Sequence, residues 1–293
     1  MHDHAHAGGE DARRLGLALA LIVAFMAGEI VAGLLAHSLA LLSDAAHMLT
    51  DAGALAMSLV VLRLAAQPAR GNRTFGLRRS EILSAQANGA ALLVLASLIV
   101  YGAVRRLVSP PHANGTAILV VALVGIGVNL LATWQLAGAN RASLNVEGSF
   151  QHVLNDLFAF VATAVAGAVI LATGWLRADA VAALLVAALM LLASWRLLRD
   201  SGRVLLDIAP VGLPVNEIGN AMASHAGVVE VHDLHVWEVT TEFPTLSAHV
   251  LVEPGADCHG IRRELETLLR DRFGLEHTTL QVEHAPAKLV QIR

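Results

Sequence analysis

The chain carries one cysteine, Cys258, so no internal disulfide forms and a cysteine-built zinc module is excluded. Charge is scarce: 15% of residues are ionic against 56% hydrophobic, a balance foreign to soluble domains. A basic patch is missing where nucleic acid would need one. Residues 207–293 hold thirteen acidic and six basic side chains, net −7, so no nucleic-acid partner is expected. No HExxH run occurs, which removes the helix-borne arrangement of zinc ligands and general base that a metallohydrolase uses; the chain reads as a non-enzyme. The opening MHDHAHAGGEDARRLG has no basic n-region at its start. The apolar run that follows, Leu15 to Ala36, is longer than a signal-peptide core and contains Glu29, so it reads as a retained span.

What the chain has in abundance is apolar length. Six segments reach the roughly 20 residues a helix needs to cross a bilayer. They cover 15–36, 40–64, 82–104, 116–138, 149–173 and 177–198, broken at His37-Ser38, QPARGNRTFGLRR, VSPPHANG, ANRASLN and Thr173-Gly174. Arginines cluster on the side shared by both termini, including Arg13, Arg63, Arg70, Arg73, Arg78, Arg79, Arg141 and Arg203. The other side holds Arg105, Arg106 and Arg177. The positive-inside rule then puts both termini in the cytoplasm. Three regions follow: a histidine-containing tail over 1–14, expected to be disordered, a six-helix transmembrane domain over 15–206, and a polar cytoplasmic domain over 207–293.

That last region predicts helix, strand, strand, helix, strand, from LPVNEIGNAMASH, VVEVHDLHVWEVT, TLSAHVLVE, CHGIRRELETLLRDRF and TTLQVEH. The order fits a ferredoxin-like α+β unit. The fold class is therefore an α-helical membrane protein with a C-terminal α+β domain.

Two spans repeat one spacing. His47 and Asp51 lie four residues apart in the second, His152 and Asp156 four apart in the fifth. On a helix each pair shares a face, one turn apart. Two such faces opposed supply two nitrogens and two oxygens, a tetrahedral set for zinc. Ionisable groups in apolar spans are costly and mark ion paths, and packing alone does not require the same pair twice. Asp44 shares the His47 face. Glu29, Asn88, Asn129, Asn155 and Asp179 also sit inside spans and read mostly as interhelical hydrogen-bonding groups.

Seven of the fourteen histidines fall in the tail: His225, His232, His235, His249, His259, His277 and His284. That density favours metal binding. Strand alternation puts His249 on the face of Ser247 and Leu251, opposite Ala248, Val250 and Val252. His232 and His235, three apart, reach one face only if a bulge intervenes. The alternating His2, His4 and His6 resemble a weak metal-capturing tract.

SDAAHMLTDAGAL, RTFGLRRSEILSAQANG, HVLNDLFAF, VHDLHVWEVT and SAHVLVE together resemble the cation diffusion facilitators, in particular their zinc-transporting bacterial branch, over nearly the full length. The resemblance implies a homodimeric metal–proton antiporter in the bacterial inner membrane, exporting zinc and taking protons in return. It implies a transport site of His47, Asp51, His152 and Asp156 and a cytoplasmic centre of His232, His249, His259 and Glu283. Three departures from the pattern stand out. The loop ARGNRTFGLRR has no His, Asp or Cys where some members carry ligands. Ala285 stands at one ligand position, leaving His284 or His235 as substitutes for a second tail metal. The histidine-rich loop some members have between spans four and five is replaced by the short ANRASLNVEG. Cadmium, cobalt or iron are alternative cargoes, and a membrane metal sensor is the competing class.

Overall fold

The computed structural model describes residues 3–35, 39–109, 115–241 and 243–286. The chain divides into two units, Met1–Ser201 and Gly202–Arg293. The first is six long helices: α1 (Asp3–Leu35), α2 (Leu39–Ala65), α3 (Ser80–Val108), α4 (Gly115–Ala137), α5 (Leu144–Thr173) and α6 (Ala178–Leu205). Each overlaps one of the expected spans. Among the described residues, four helices are long and apolar enough to cross a membrane: α3 to α6, with mean hydropathy from 1.9 to 2.2. Leu98, Tyr101, Trp134, Leu185 and Trp195 face outward and exposed on them, the surface a lipid solvent stabilises and water does not.

Ala166 and Ile170 of α5 meet Ala178 of α6 in one of three contact sets inside the bundle. Leu15 and Ile22 of α1 meet Leu55 of α2, Leu136 of α4, and Val146 and Val153 of α5. Leu92 and Ala96 of α3 meet Val186 and Met190 of α6. Close approach depends on missing side chains: a Cβ on Gly89 of α3 would lie 3.0 Å from the Leu198 side chain of α6.

The N-terminal tail departs from expectation. Helix α1 starts at Asp3, so the segment expected to be disordered is helical through residue 14. Tertiary anchors explain it. Asp11, 7% exposed, accepts from the Asn140 amide at 2.8 Å. Arg14 donates to Glu10 at 2.7 Å one turn back and to the Gln135 carbonyl at 3.4 Å. His2 and the side chains of His4 and His6 lie outside the described residues, as does the break at His37-Ser38.

The second unit runs α7 (Val215–Ala223), β1 (Val228–Glu238), β2 (Pro244–Val252), α8 (Cys258–Phe273) and β3 (His277–His284), the order read from the sequence. Sheet order is β1-β2-β3, with β1 and β2 antiparallel and β2 and β3 parallel. The parallel partners are joined through α8 as a crossover, the form such a connection requires. Ala248, Val250 and Val252 of β2, all nearly fully buried, pack with Leu265 and Leu269 of α8 and Ile218 and Met222 of α7. Alternation then delivers His249 to the open face.

Asp257 caps α8, accepting from the amides of Gly260 at 3.0 Å and His259 at 3.1 Å. These amides, Gly260 first, hold its carboxyl below the usual carboxylate range. A depressed folded value means the cap is in place above the ordinary carboxylate range and is lost as pH falls through it. Asp257→Ala should speed hydrogen exchange at the amides of His259 and Gly260 at neutral pH. In the unsubstituted protein the same acceleration should appear only in acid. Unchanged exchange in the variant would show that the cap contributes nothing.

Candidate metal centre

Helices α2 and α5 run antiparallel, since Asp51 meets His152 while Ser58, further along α2, meets Ser149, earlier on α5. This opposition brings the two sequence motifs together. His152 Nε2 lies 2.8 Å from Asp51 Oδ1 and 3.9 Å from Asp156 Oδ2. Asp51, His152 and Asp156 are 3%, 6% and 8% exposed. One ligand atom from each falls within 4.8 Å of the others, the one such trio among the described residues. The fourth member, His47, precedes Asp51 by one turn of α2, and its side chain lies outside the described residues, as do those of Asp44, Glu29 and Asp179.

Asp51 does two things here. Its carboxylate offers an oxygen to a metal, and in the metal-free site its Oδ1 accepts from His152 Nε2. The nitrogen held in that bond is also the one that faces the carboxylates, so a cation entering the trio takes the place of the shared proton. One imidazole and two carboxylates in a dry setting suit a borderline divalent ion better than a monovalent one.

Not every polar residue in the spans plays the expected part. Asn88 approaches Ser58 of α2 at 3.5 Å, an interhelical contact. Asn129, by contrast, donates to Gly125 of its own helix at 3.1 Å, because the carbonyl four residues back is the acceptor within reach. Asn155 has a buried Nδ2 with no partner among the described atoms. Residues not singled out from the sequence, Ser58, Asn145 and Ser149, form a buried network beside the trio. Asn145 falls before the fifth span as read from hydropathy, yet α5 starts at Leu144. Its signal was its spacing: Ser58 follows Asp51 by seven residues and Asn145 precedes His152 by seven, two turns on the same faces.

In the second unit the bulge needed by His232 and His235 is present. His232 pairs with His249 and His235 with Ser247, so Asp233 and Leu234 oppose one residue. Asp233 takes φ 52°, a left-handed conformation that aspartate tolerates. Both histidines therefore reach the open face. The His232 and His249 rings are 5.4 Å apart. Asp233 approaches His235 at 2.9 Å and His249 at 3.9 Å. Glu283 pairs with Leu251 and shares that face. His259 sits exposed in the first turn of α8, in the helix layer. His284 turns to Cys258, 3.5 Å from its sulfur, and to the Ala256 carbonyl at 3.1 Å. The donor types suit zinc, but His232, His249, His259 and Glu283 are not drawn into one trio within a single chain.

A helical membrane protein with a buried carboxylate–imidazole–carboxylate centre and a histidine-faced α+β domain is the class these features define. Comparison with known proteins agrees. The cation efflux transmembrane domain matches residues 15–206, and the cytoplasmic domain of cation efflux proteins matches residues 210–285. The metal cation efflux system protein CzcD of Cupriavidus metallidurans is 39% identical over 289 residues, covering 98% of this chain and 91% of that protein. The zinc transporter ZitB of Escherichia coli is 38% identical, with 97% and 93% covered. A cadmium, cobalt and zinc/H(+)-K(+) antiporter of Bacillus velezensis is 35% identical, with 97% and 92% covered. The chain belongs to the cation diffusion facilitator family and is a multi-pass transporter of divalent metal cations.

Proposed function

We propose that the protein exports zinc from the cytoplasm of a bacterial cell across the inner membrane, in exchange for protons, as a homodimer with both termini cytoplasmic. The observation that carries this is the buried Asp51–His152–Asp156 trio, with His47 one turn away on α2 as the fourth ligand. Four protein ligands leave no open position for a reacting water, so the site carries a metal and catalyses nothing. Two imidazoles favour zinc over magnesium or manganese, which prefer oxygen. Zinc transport by ZitB-like relatives supports the same cargo.

Direction follows from protonation. Histidine binds metal only when neutral, and an ordinary imidazole titrates near neutrality. A site opened to a more acidic exterior gains protons and releases zinc. Opened to the cytoplasm, it loses them and reloads. Zinc flux in proteoliposomes with an imposed pH gradient tests the proposal. Flux that collapses with the gradient supports antiport. A protein that binds zinc but moves none is a sensor.

The tail regulates in this scheme. His232, His249, His259 and Glu283 form its metal centre, completed when two tails of a dimer approach. Each tail carries net −7 and repels the other, and a divalent ion relieves that repulsion. His249→Ala should raise the zinc concentration needed for half-maximal flux severalfold while leaving clear residual transport. Complete loss of flux in a folded variant would end this division of labour.

A further inference from the structure

One to two turns from the metal trio along α2 and α5, four polar side chains from three helices converge out of water. Ser58 of α2 and Asn145 of α5 are 0% exposed, Ser149 of α5 is 2% and Asn88 of α3 is 3%. Ser149 Oγ donates to Ser58 Oγ at 2.7 Å, and it also lies 3.1 Å from the Asn145 carbonyl. Asn145 Nδ2 donates to the Ser58 carbonyl at 3.0 Å. Asn88 Nδ2 reaches Ser58 Oγ at 3.5 Å. Asn145 Oδ1 is buried with no partner among the described atoms, which leaves one strong acceptor uncommitted where water is excluded.

Position gives the cluster its meaning. Seven residues separate Ser58 from Asp51 and Asn145 from His152, about 10 Å along each helix. Both intervals run towards the same end of the bundle, where α2 finishes, α3 and α5 begin, and Arg63, Arg70, Arg73, Arg78, Arg79 and Arg141 gather. The described ligands all lie on α2 and α5, so an ion leaving them for that end passes between these two helices at the level of the cluster. Beyond Asp156, towards the other end, there is open space between the helices. A cavity of about 390 Å³ opens there between α3, α5 and α6, and Ala159 and Thr163 on its wall follow Asp156 by one and two turns.

We propose that Ser58, Asn88, Asn145 and Ser149 close the cation route at the arginine-rich end of the bundle by hydrogen-bonding α2 to α5, and that their neutral oxygens line the route once these helices part. The inference rests on the transport reading above. Neutral oxygens suit the second role. They replace part of an ion's hydration without the charge that would hold it, as a route that must also release requires. Simple helix glue is the alternative a test has to remove.

Leu55 lies on α2 between Asp51 and Ser58, on the same face and 1% exposed. In a Cys258→Ser background, Leu55→Cys therefore reports water reaching the space between site and cluster. With the cluster intact, a membrane-impermeant maleimide should label it slowly in proteoliposomes. Adding Asn145→Ala should raise the rate at least tenfold, from the side that labels the exposed loop variant Asn72→Cys. Asn88→Ala should raise it less. If Asn145→Ala fails to insert, Ser149→Ala removes one oxygen and the 2.7 Å bond and should give the same change. Labelling that ignores these substitutions, or rises only from the opposite side, overturns the proposal. The measurement needs neither zinc nor a pH gradient. Flux with unchanged labelling rejects the closure alone, and absent flux rejects the transport reading alone.

Discussion

Asp51→Ala is expected to lower zinc flux in proteoliposomes to background, at least a hundredfold below the unsubstituted protein, while the variant still inserts and folds. Groups that merely orient a metal ligand are worth about ten- to a hundredfold in affinity. Asp51 is placed to offer an oxygen to the ion itself, with Oδ1 2.8 Å from His152 Nε2 in a site almost closed to water. Its removal takes away one oxygen donor and one of the negative charges that hold the ion. Asp51→Asn separates charge from shape, because a carboxamide oxygen still accepts from His152 in the metal-free site yet carries no charge. Flux that returns with Asn would show that the charge of Asp51 is not needed to hold the metal. Asp156→Ala should also fall to background, since Oδ2 closes the trio from the adjacent turn of α5. Near-normal uptake by either alanine variant would remove the site assignment.

The second large effect is on selectivity. His47→Asp would leave one imidazole, His152, among three carboxylates and so make the site harder. Relative flux of cadmium or manganese against zinc should rise by about tenfold in a competition assay, since larger ions accept more oxygen ligation. An unchanged metal ranking would mean that His47 does not touch the ion, whatever its place one turn before Asp51.

Particular elements show where sequence reading was sufficient. Helix α8 was read as Cys258 to Phe273 and is found there, because an aspartate cap, an amphipathic run and Gly274 state its ends locally. The β2 alternation was equally direct, with His249 opposite three buried apolar residues. Hydropathy reads the α5 span short because it weighs Asn145 as polar, whereas the bundle buries that side chain against Ser58. The N-terminal segment was read as disordered because nothing local orders it. The Asn140 amide, 129 residues away in sequence, donates to Asp11 and holds it in place.

The sequence by itself therefore determined the class of the protein: apolar length sets the spans, and the repeated four-residue spacing sets which residues face inward on each helix. Periodicity is a property of one element and is written in its own residues. Only the tertiary structure decided that α2 and α5 oppose each other in the register that joins Asp51 to His152, and that Ser58 meets Asn145 and Ser149 one to two turns away. It also decided that a bulge at Asp233 turns His232 and His235 to one face. Each of these depends on how two elements slide against one another. That offset is fixed by the combined packing of many side chains, which no local pattern records.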